Sequence, residues 1–448
     1  MRTKTCFLGL AAMVVAAAAI AISGTGAAQE QKTADAPDAS ADAAQAAAQA
    51  SAKSALPYWP EFHGPGRSNI APGAGLLKKW PKAGPPLVWR FDGCGEGYPG
   101  VSIAEGRLFT SGDFDDVEMV IALDMDGKLL WKTPNGKAWR GASPGSRTTP
   151  TYHEGLVYQM NVHGRLVALE AANGKERWVV DLKERFDAEF GVWGLAENVV
   201  IEGDNVLCMP GGSKGRVVAL DKRTGNTVWA NTDVEHFAAY CSPVVVTHGG
   251  IRQLVTMTQK SVVGIDVGNG KLLWTIPFVP ASPQNALTPV YEDGYVFVAC
   301  GHSSGGMVFR IGPDSRSAKQ VWYRKDLDNC HGGAVLIDGK LFGCGCRAGG
   351  KSFYCVEFRT GKTVKLDRSL GKVGISAAGD MLYCINHRGI MYLLAVTPGG
   401  FDVVSQFDVG KKPDNTYLAH PVIVGGRLYL RCEQSLLVYD VRDAQAKR

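Results

Sequence analysis

Along most of the chain, short runs of apolar residues alternate with polar turns, and one such pattern recurs. In each copy an aliphatic run leads to a turn, and a second run usually ends in Trp. The clearest copies are Ile121–Trp131, Val167–Trp178, Val218–Trp229 and Val263–Trp274, and weaker ones are Met307–Trp322, Tyr354–Leu366 and Tyr392–Val404. In the clear copies an acidic side chain can accept backbone N–H bonds in the turn, and Gly can take its positive φ angle. The pattern therefore predicts a series of β-hairpins.

A further strand pair precedes each copy, so the repeating unit contains four strands. The turns of these pairs lie near eight glycines: Gly106, Gly155, Gly203, Gly249, Gly294, Gly339, Gly379 and Gly425. The Trp residues of successive copies are separated by roughly 50 residues, the length of one propeller blade. We therefore predict an all-β fold, an eight-bladed β-propeller of four-stranded antiparallel blades.

The two ends of the repeat predict how the ring closes. After its first pair, the eighth unit has only one more strand, Leu436–Asp440, whereas Leu87–Phe91 stands alone before the first unit. Trp89 in this early strand occupies the position of the recurring Trp. Pairing the two strands would complete the eighth blade and leave no free sheet edge. We predict this closure by the N-terminal strand.

The recurring tryptophans are predicted to be structural rather than ligand-binding. A large flat side chain can fill the wedge-shaped gap between neighbouring blades. We expect this docking role for Trp89, Trp131, Trp178, Trp229, Trp274 and Trp322.

The first residues predict export. Arg2 and Lys4 precede an apolar stretch, Phe7–Ile22, and small residues suited to a cleavage site follow it. We therefore divide the chain into a signal peptide (residues 1–28), a disordered Ala-rich tether (29–55) and the propeller (56–448), and expect a periplasmic or secreted protein. The alternatives are an uncleaved membrane anchor for the first segment and a short Ala-rich helix for the second.

The charge of the chain bears on its binding partners, and its cysteines bear on disulfides and metal sites. The formal net charge is only +5 and no basic block occurs, so nothing favours binding to nucleic acid or an anionic membrane. We expect a monomer with no stable membrane span after signal cleavage.

Ten cysteines follow Cys6 without a CxxCH motif, and their spacings specify no disulfide pairing. Cys344 and Cys346 form only a lone CxC, so we predict no metal site.

The chain resembles the pyrroloquinoline-quinone (PQQ)-type propellers. The copies match their Ala-x-Asp-x-x-x-Gly-x-x-x-Trp docking motif. The entry segment Trp59–Arg67, followed by Gly75–Pro81, resembles envelope proteins of planctomycete-type bacteria that are labelled PQQ-like, BamB-like or alcohol-dehydrogenase-like. This resemblance extends over Trp59–Val441 and implies the fold. The resemblance does not imply one function, because the same type of blade occurs in quinoprotein dehydrogenases and in non-catalytic scaffolds.

Polar and aromatic residues precede the first strand of several predicted blades. Equivalent positions in a propeller meet at one mouth of the central channel, so we predict a ligand site there. The candidates are Arg147, Trp193, Glu197, Tyr240, Asn329, His331 and His420. Arg147 suits a carboxylate, the rings suit stacking, and His can donate or accept a proton. The alternative is that each polar group satisfies buried backbone at a strand start.

The sequence is compatible with two functions. The first is a ligand- or protein-binding scaffold of the cell envelope, with a small molecule or an envelope protein as partner. The second, a PQQ-dependent alcohol or sugar dehydrogenase, would need PQQ with Ca²⁺ as cofactor. The chain lacks the adjacent Cys-Cys pair that the resemblance would imply for that enzyme class. The sequence therefore favours the first function, assures no cofactor and identifies no catalytic residue.

Overall fold

The computed structural model describes residues 56–410 and 417–447. These residues form strands joined by short turns, together with one short α-helix, α1 (Leu182–Phe186), and two 3₁₀ turns, Pro65–Arg67 and Ala444–Lys447. No helix in this part of the chain is long and apolar enough to span a membrane. The expected signal peptide (1–28) and tether (29–55) lie outside the described residues.

Two strands, β1 (Ile70–Ala71) and β2 (Leu87–Phe91), precede the first blade. The first four blades then follow in chain order, each a separate antiparallel sheet. Their strands are β3 (Ser102–Ala104), β4 (Arg107–Phe114), β5 (Val117–Asp124) and β6 (Leu129–Lys137); β7 (Thr151–His153), β8 (Leu156–Met160), β9 (Arg165–Glu170) and β10 (Glu176–Asp181); β11 (Val200–Glu202), β12 (Asn205–Cys208), β13 (Val217–Asp221) and β14 (Thr227–Asn231); and β15 (Val244–His248), β16 (Ile251–Met257), β17 (Ser261–Asp266) and β18 (Leu272–Pro277).

Blades five to eight continue this order along the chain. Their strands are β19 (Val290–Glu292), β20 (Tyr295–Ala299), β21 (Gly306–Ile311) and β22 (Ala318–Arg324); β23 (Ala334–Ile337), β24 (Lys340–Cys344), β25 (Phe353–Glu357) and β26 (Thr363–Asp367); β27 (Val373–Ala378), β28 (Met381–Asn386), β29 (Ile390–Thr397) and β30 (Gly400–Asp408); and β31 (Val422–Val424), β32 (Arg427–Cys432) and β33 (Ser435–Asp440). The predicted eight-bladed propeller is confirmed.

The ring closes as predicted. Strand β2 pairs antiparallel with β33 and completes the eighth blade, with Trp89 opposite Val438 and Leu87 opposite Tyr439. The blade therefore combines the beginning and the end of the described chain, which gives the last sheet a fourth strand instead of an open edge.

The recurring Trp side chains join neighbouring blades. The indole N–H of Trp89 donates to Met125 O at 3.0 Å, and that of Trp178 donates to Lys222 O at 2.9 Å, each in the following blade. Trp131, Trp229 and Trp322 make the same kind of bond. The turn glycine of the next blade lies flat against the ring in each case. At Gly127, for example, a Cβ atom would approach the Trp89 ring to 2.7 Å.

Trp274 departs from this docking pattern. Its indole N–H donates to Gln253 Oε1 at 2.7 Å within its own blade. The hairpin turn of the next blade has Ser315 in the left-handed conformation, with φ of 57°. The Ser315 hydroxyl donates to His248 O of Trp274's blade. These two blades are thus joined by the hydrogen bond of Ser315, at a turn where no glycine packs against the Trp274 ring.

The entry segment Trp59–Ala71, termed the plug segment below, bonds to the first strands of several blades around the channel. Trp59 exchanges two backbone hydrogen bonds with Ile103 of blade one, and Tyr152 N of blade two donates to Pro60 O. Strand β1 at the other end of the segment pairs in parallel with β27 of blade seven, with Ile70 opposite Ala377. The sequence interpretation used this segment only as a family signature and did not predict these contacts.

Arg67 anchors the middle of the plug segment. Its guanidinium donates to Asn198 O, Val199 O and Pro243 O of blades three and four at 2.6–2.9 Å. It also pairs with Glu61 at 2.9 Å. Arg67 is only 6% exposed, so these bonds satisfy a charge that would otherwise be costly to bury.

Candidate functional site

A cavity of about 360 Å³ lies at one mouth of the channel, with Phe62 and His63 of the plug segment on its wall. We call it the mouth cavity. Every blade contributes to its wall from the loop that enters its first strand. Representative residues from blades one to eight are Tyr98, Arg147, Trp193, Tyr240, Leu287, His331, Lys372 and His420. Five of the seven candidates from the sequence therefore lie on one wall: Arg147, Trp193, Tyr240, His331 and His420.

Arg147 is held rigidly by backbone carbonyls. Its Nε donates to Trp193 O at 2.8 Å, and its Nη2 donates to Ala142 O and Ser143 O at 2.7 and 2.8 Å. Its guanidinium carbon lies 5.8 Å from the centroid of the Tyr98 ring. In the described part of the chain no carboxylate is within ion-pair distance of this guanidinium. The charge is thus positioned by neutral groups and remains available to a ligand.

Two aromatic rings stand beside Arg147. The rings of Trp193 and Tyr240 meet edge to face, with centroids 5.6 Å apart. Burial raises the pKa of Tyr240 above its ordinary value, so its hydroxyl stays protonated at neutral pH and can donate a hydrogen bond. Together the rings give the cavity an apolar surface next to a cation.

His420 does not have the role expected from the sequence. Its Nε2 donates to His331 O at 2.8 Å, and its Nδ1 lies 2.7 Å from His63 Nε2. Because a carbonyl can only accept, Nε2 carries the proton, and Nδ1 of the neutral ring accepts from His63. Both ring nitrogens are used within the protein. The expectation that His420 acts on a ligand is replaced by a role in linking blade eight, blade six and the plug segment.

Of the two histidines that the sequence selected, His331 is the one whose ring a ligand could use. Its ring packs edge to face against His387, with centroids 5.6 Å apart. Burial, together with the nearby Lys372 charge, lowers its pKa well below the ordinary value. Burial and the neighbouring His420 have the same effect on the pKa of His63. Both rings are therefore neutral at neutral pH. His331 can donate or accept a hydrogen bond, whereas the one N–H of His63 is used by His420 and only its Nδ1 can accept.

Glu197 and Asn329 do not line the mouth cavity. Ala196 and Asn198 are on the wall, and Glu197 between them points into the protein interior, as the side-chain alternation of extended chain requires. Its Oε1 is buried with no hydrogen-bond partner among the described residues, and burial raises its pKa to about 8. Asn329 donates to Gly333 O at 2.6 Å and closes its own loop. The structure therefore does not bring these two side chains to the cavity wall with the other five candidates.

The sequence interpretation missed Phe62, His63, His302, Cys330 and Lys372, which also line the cavity. Lys372 precedes the first strand of blade seven and could have been found by the rule that selected Arg147. His302 lies in a different kind of loop, between the second and third strands of blade five, where that rule does not apply.

The chemistry of the wall decides which cofactors fit. Arg147 and Lys372 are its basic residues, and no Asp or Glu of the described residues lines it. A Ca²⁺ ion requires six to eight oxygen ligands, with carboxylates prominent among them. Neutral hydroxyls and amides beside two cations do not provide that set. The wall therefore does not fit a PQQ–Ca²⁺ pair.

The comparisons with known proteins agree with this fold. The family model described as outer membrane protein assembly factor BamB matches residues 116–366, more than half of the chain. The chain belongs to this BamB-type family of PQQ-like propellers. Among curated relatives, quinohemoprotein alcohol dehydrogenase ADH IIB of Pseudomonas putida is 26% identical over 50% of this chain and 32% of its own length. BamB of Salmonella typhimurium is 26% identical over 32% of this chain and 33% of its own length.

The alignments thus span about a third of the length of both curated relatives. Solved structures extend the likeness in fold. Quinohemoprotein alcohol dehydrogenase from Comamonas testosteroni aligns with a TM-score of 0.64 at 14% identity, over 90% of this chain and 84% of that one. BamB from Moraxella catarrhalis aligns with a TM-score of 0.56 at 14% identity, over 80% and 99%. The chain is therefore similar both to proteins named as outer membrane assembly factors and to proteins named as alcohol dehydrogenases.

Proposed function

We propose that this chain is a binding module of the cell envelope whose mouth cavity takes a small carboxylate-bearing molecule. The observation that carries the proposal is the charge of the wall. Arg147 and Lys372 face a cavity of about 360 Å³ that has no Asp or Glu among its described lining residues. Pockets of this size suit a small molecule, and two cations without acidic partners favour an anion.

The fixed geometry of Arg147 supports this proposal. Three carbonyl contacts hold Nε and Nη2 in place, which leaves Nη1 as the group that can bind a carboxylate. A guanidinium fixed before binding loses little side-chain entropy on binding. The Trp193 and Tyr240 rings would contact the apolar body of the ligand, and His331 would donate or accept one hydrogen bond.

The envelope location is part of the proposal. It is supported by the expected signal peptide and by the matching family model, which is described as outer membrane protein assembly factor BamB. An envelope protein as partner remains compatible with the family, but the concave, positively charged cavity favours a small anion over a protein surface.

A rigid aromatic tricarboxylate tests the proposal. Isothermal titration with benzene-1,3,5-tricarboxylate should give one saturable site, and the neutral tricarboxamide of the same shape should bind far more weakly. Arg147→Ala should weaken binding by about 1.5–3 kcal/mol, the range of a hydrogen bond to a charged group, or roughly 10- to 150-fold. The matched control is Arg177→Ala, which removes an exposed arginine that pairs with Glu170.

Two results would reject the proposal. One is equal affinity for the tricarboxylate and the tricarboxamide. The other is unchanged affinity in a folded Arg147→Ala variant, as judged by an unaltered thermal transition.

A further inference from the structure

Two cysteines and a histidine meet beside the mouth cavity although they come from three different loops. His302 follows β20, Cys330 precedes β23, and Cys346 follows β24. The two sulfur atoms and a ring nitrogen of His302 all lie within 4.8 Å of one another. Within the described part of the chain, this is the one group of three or more His, Cys, Asp or Glu residues close enough to hold a metal ion.

The carboxylate of Asp328 organises all three loops. It accepts the backbone N–H of Ser303 at 2.8 Å, next to His302, and that of Cys346 at 2.9 Å. It also accepts the three N–H groups that follow Cys346, at 2.8–3.1 Å. Asp328 itself lies two residues before Cys330. One buried carboxylate therefore ties the backbone of the His302 and Cys346 loops to the loop that carries Cys330.

We propose that His302, Cys330 and Cys346 form a three-ligand site for a thiophilic d¹⁰ cation, zinc(II) or copper(I), with a further coordination position facing the mouth cavity. Thiolate and imidazole ligands suit both ions. In a tetrahedral zinc site with Zn–S bonds of about 2.3 Å, the sulfur atoms are separated by about 3.8 Å. The observed spread of the donor atoms is compatible with this geometry after small adjustments.

The open position follows from where the ligands lie. His302 and Cys330 are on the wall of the mouth cavity, and His302 and Cys346 also line a second cavity beside it. Zinc sites with three protein ligands keep a fourth position for water or another ligand, whereas structural zinc sites are closed by four. The ion would therefore contact whatever enters the cavity.

Charge balance at the cluster is compatible with the proposal. Binding releases a proton from each thiol to solvent, and two thiolates then neutralise a zinc(II) ion or leave one negative charge with copper(I). Lys372 lies on the wall of the mouth cavity and on the wall of the second cavity that His302 and Cys346 line. Its positive charge would balance the copper complex or, with zinc, favour an anion at the open position.

Metal analysis of the full chain tests the site. Protein with reduced thiols is equilibrated with zinc(II), or with copper(I) under anaerobic conditions, desalted, and measured for bound metal by mass spectrometry. One equivalent per chain is expected, and the better-retained ion identifies the metal. Cys330→Ser, Cys346→Ser and His302→Asn should each lower affinity more than about 100-fold, because outer-shell changes alone cost 10–100-fold. Asn is chosen because His302 has a φ of 56°, which Asn tolerates.

Cys344→Ser is the matched control. Cys344 is equally buried and lies two residues from Cys346, but its single S–H is directed at the carbonyl oxygens of Gly345 and Gly371, at 3.3 and 3.2 Å. A serine hydroxyl can donate to the same carbonyls, so this variant should keep its metal. Thiol alkylation of the unmodified chain gives a second readout that needs no substitution. Bound metal should protect Cys330 and Cys346, and chelation should expose them.

The proposal is overturned if the reduced protein binds no stoichiometric metal, or if metal does not protect the two thiols. It is also overturned if folded ligand variants keep the metal. These measurements use the metal alone, so they remain informative even if the carboxylate ligand proposed above fails to bind.

Discussion

Replacing Glu197 by Gln should make the stability of the protein less dependent on pH. Glu197 is 3% exposed, and its Oε1 has no hydrogen-bond partner among the described residues. Burial raises its pKa from 4.5 to about 8, and the Arg67 charge offsets only part of this effect. The folded protein therefore holds a neutral carboxylic acid at pH 7, which Gln resembles in size and shape.

The sign of the effect follows from proton linkage. Between pH 4.5 and 8 the folded state keeps the proton on Glu197, whereas the unfolded chain releases it. The free energy of unfolding therefore falls as pH rises through this window, by about 1.4 kcal/mol per pH unit from this group. The whole shift corresponds to about 4–5 kcal/mol. Gln does not titrate, so the stability of the variant relative to wild type should rise by several kcal/mol from pH 5 to pH 8.

Thermal unfolding at pH 5 and pH 8 measures this difference. Glu118 is also buried with a pKa raised to about 8, so both proteins should lose stability at high pH, and only the difference between them reports Glu197. Glu184→Gln on the exposed face of α1 is the matched control, and its thermal stability should differ from that of wild type by the same amount at pH 5 and pH 8. A Glu197→Gln difference that is the same at pH 5 and pH 8 would refute the reasoning.

Three further outcomes are expected. Trp89→Ala should cost about 3–5 kcal/mol, because a large inter-blade side chain is lost at the closure of the ring; denaturant unfolding against wild type measures it. Arg67→Met should destabilise by about 3–5 kcal/mol, since three carbonyls lose their donor and the largely buried Glu61 loses its ion-pair partner, and an unchanged unfolding midpoint would contradict this. Limited proteolysis should remove Lys32–Lys53 and leave a resistant body that begins near Trp59, whereas a protected tail would disprove the expected disorder.

The fold could be predicted because its signals are local and repeated. Each hairpin carries its own apolar runs and turn glycine, and the Trp at its end repeats the same docking contact. Closure of the ring also followed, because Leu87–Phe91 and Leu436–Asp440 were the two strands without a complete blade. Trp274 is the exception, and the missing turn glycine of the following blade is its sequence signal.

The site could be predicted only in part. Arg147, Trp193 and Tyr240 meet on the cavity wall because equivalent loops of a propeller face the same mouth. Glu197 and Asn329 do not line the cavity. The loop position predicts which mouth a residue is near but not the direction of its side chain, which changes from one residue to the next.

Contacts between distant segments were beyond the sequence pattern. The plug segment binds blades that are hundreds of residues away, and positive φ angles at His63, Arg67 and Asn69 have no sequence signature of their own. The His302, Cys330 and Cys346 cluster is equally hidden, because three unrelated loops supply one residue each. The CxC motif was read as too weak to indicate metal, and it is Cys346 together with distant residues that carries the new proposal.

The response to PQQ and Ca²⁺ tests the central claim most directly, that the mouth cavity is a binding site rather than a quinone-dependent dehydrogenase centre. Purified protein is incubated with PQQ, with and without Ca²⁺, and then supplied with ethanol and an electron-accepting dye. The charge of the wall predicts that any PQQ bound is held as a carboxylate, independently of Ca²⁺ and through Arg147, with no alcohol-dependent dye reduction. Dye reduction that requires both PQQ and Ca²⁺ would contradict the account and establish the dehydrogenase.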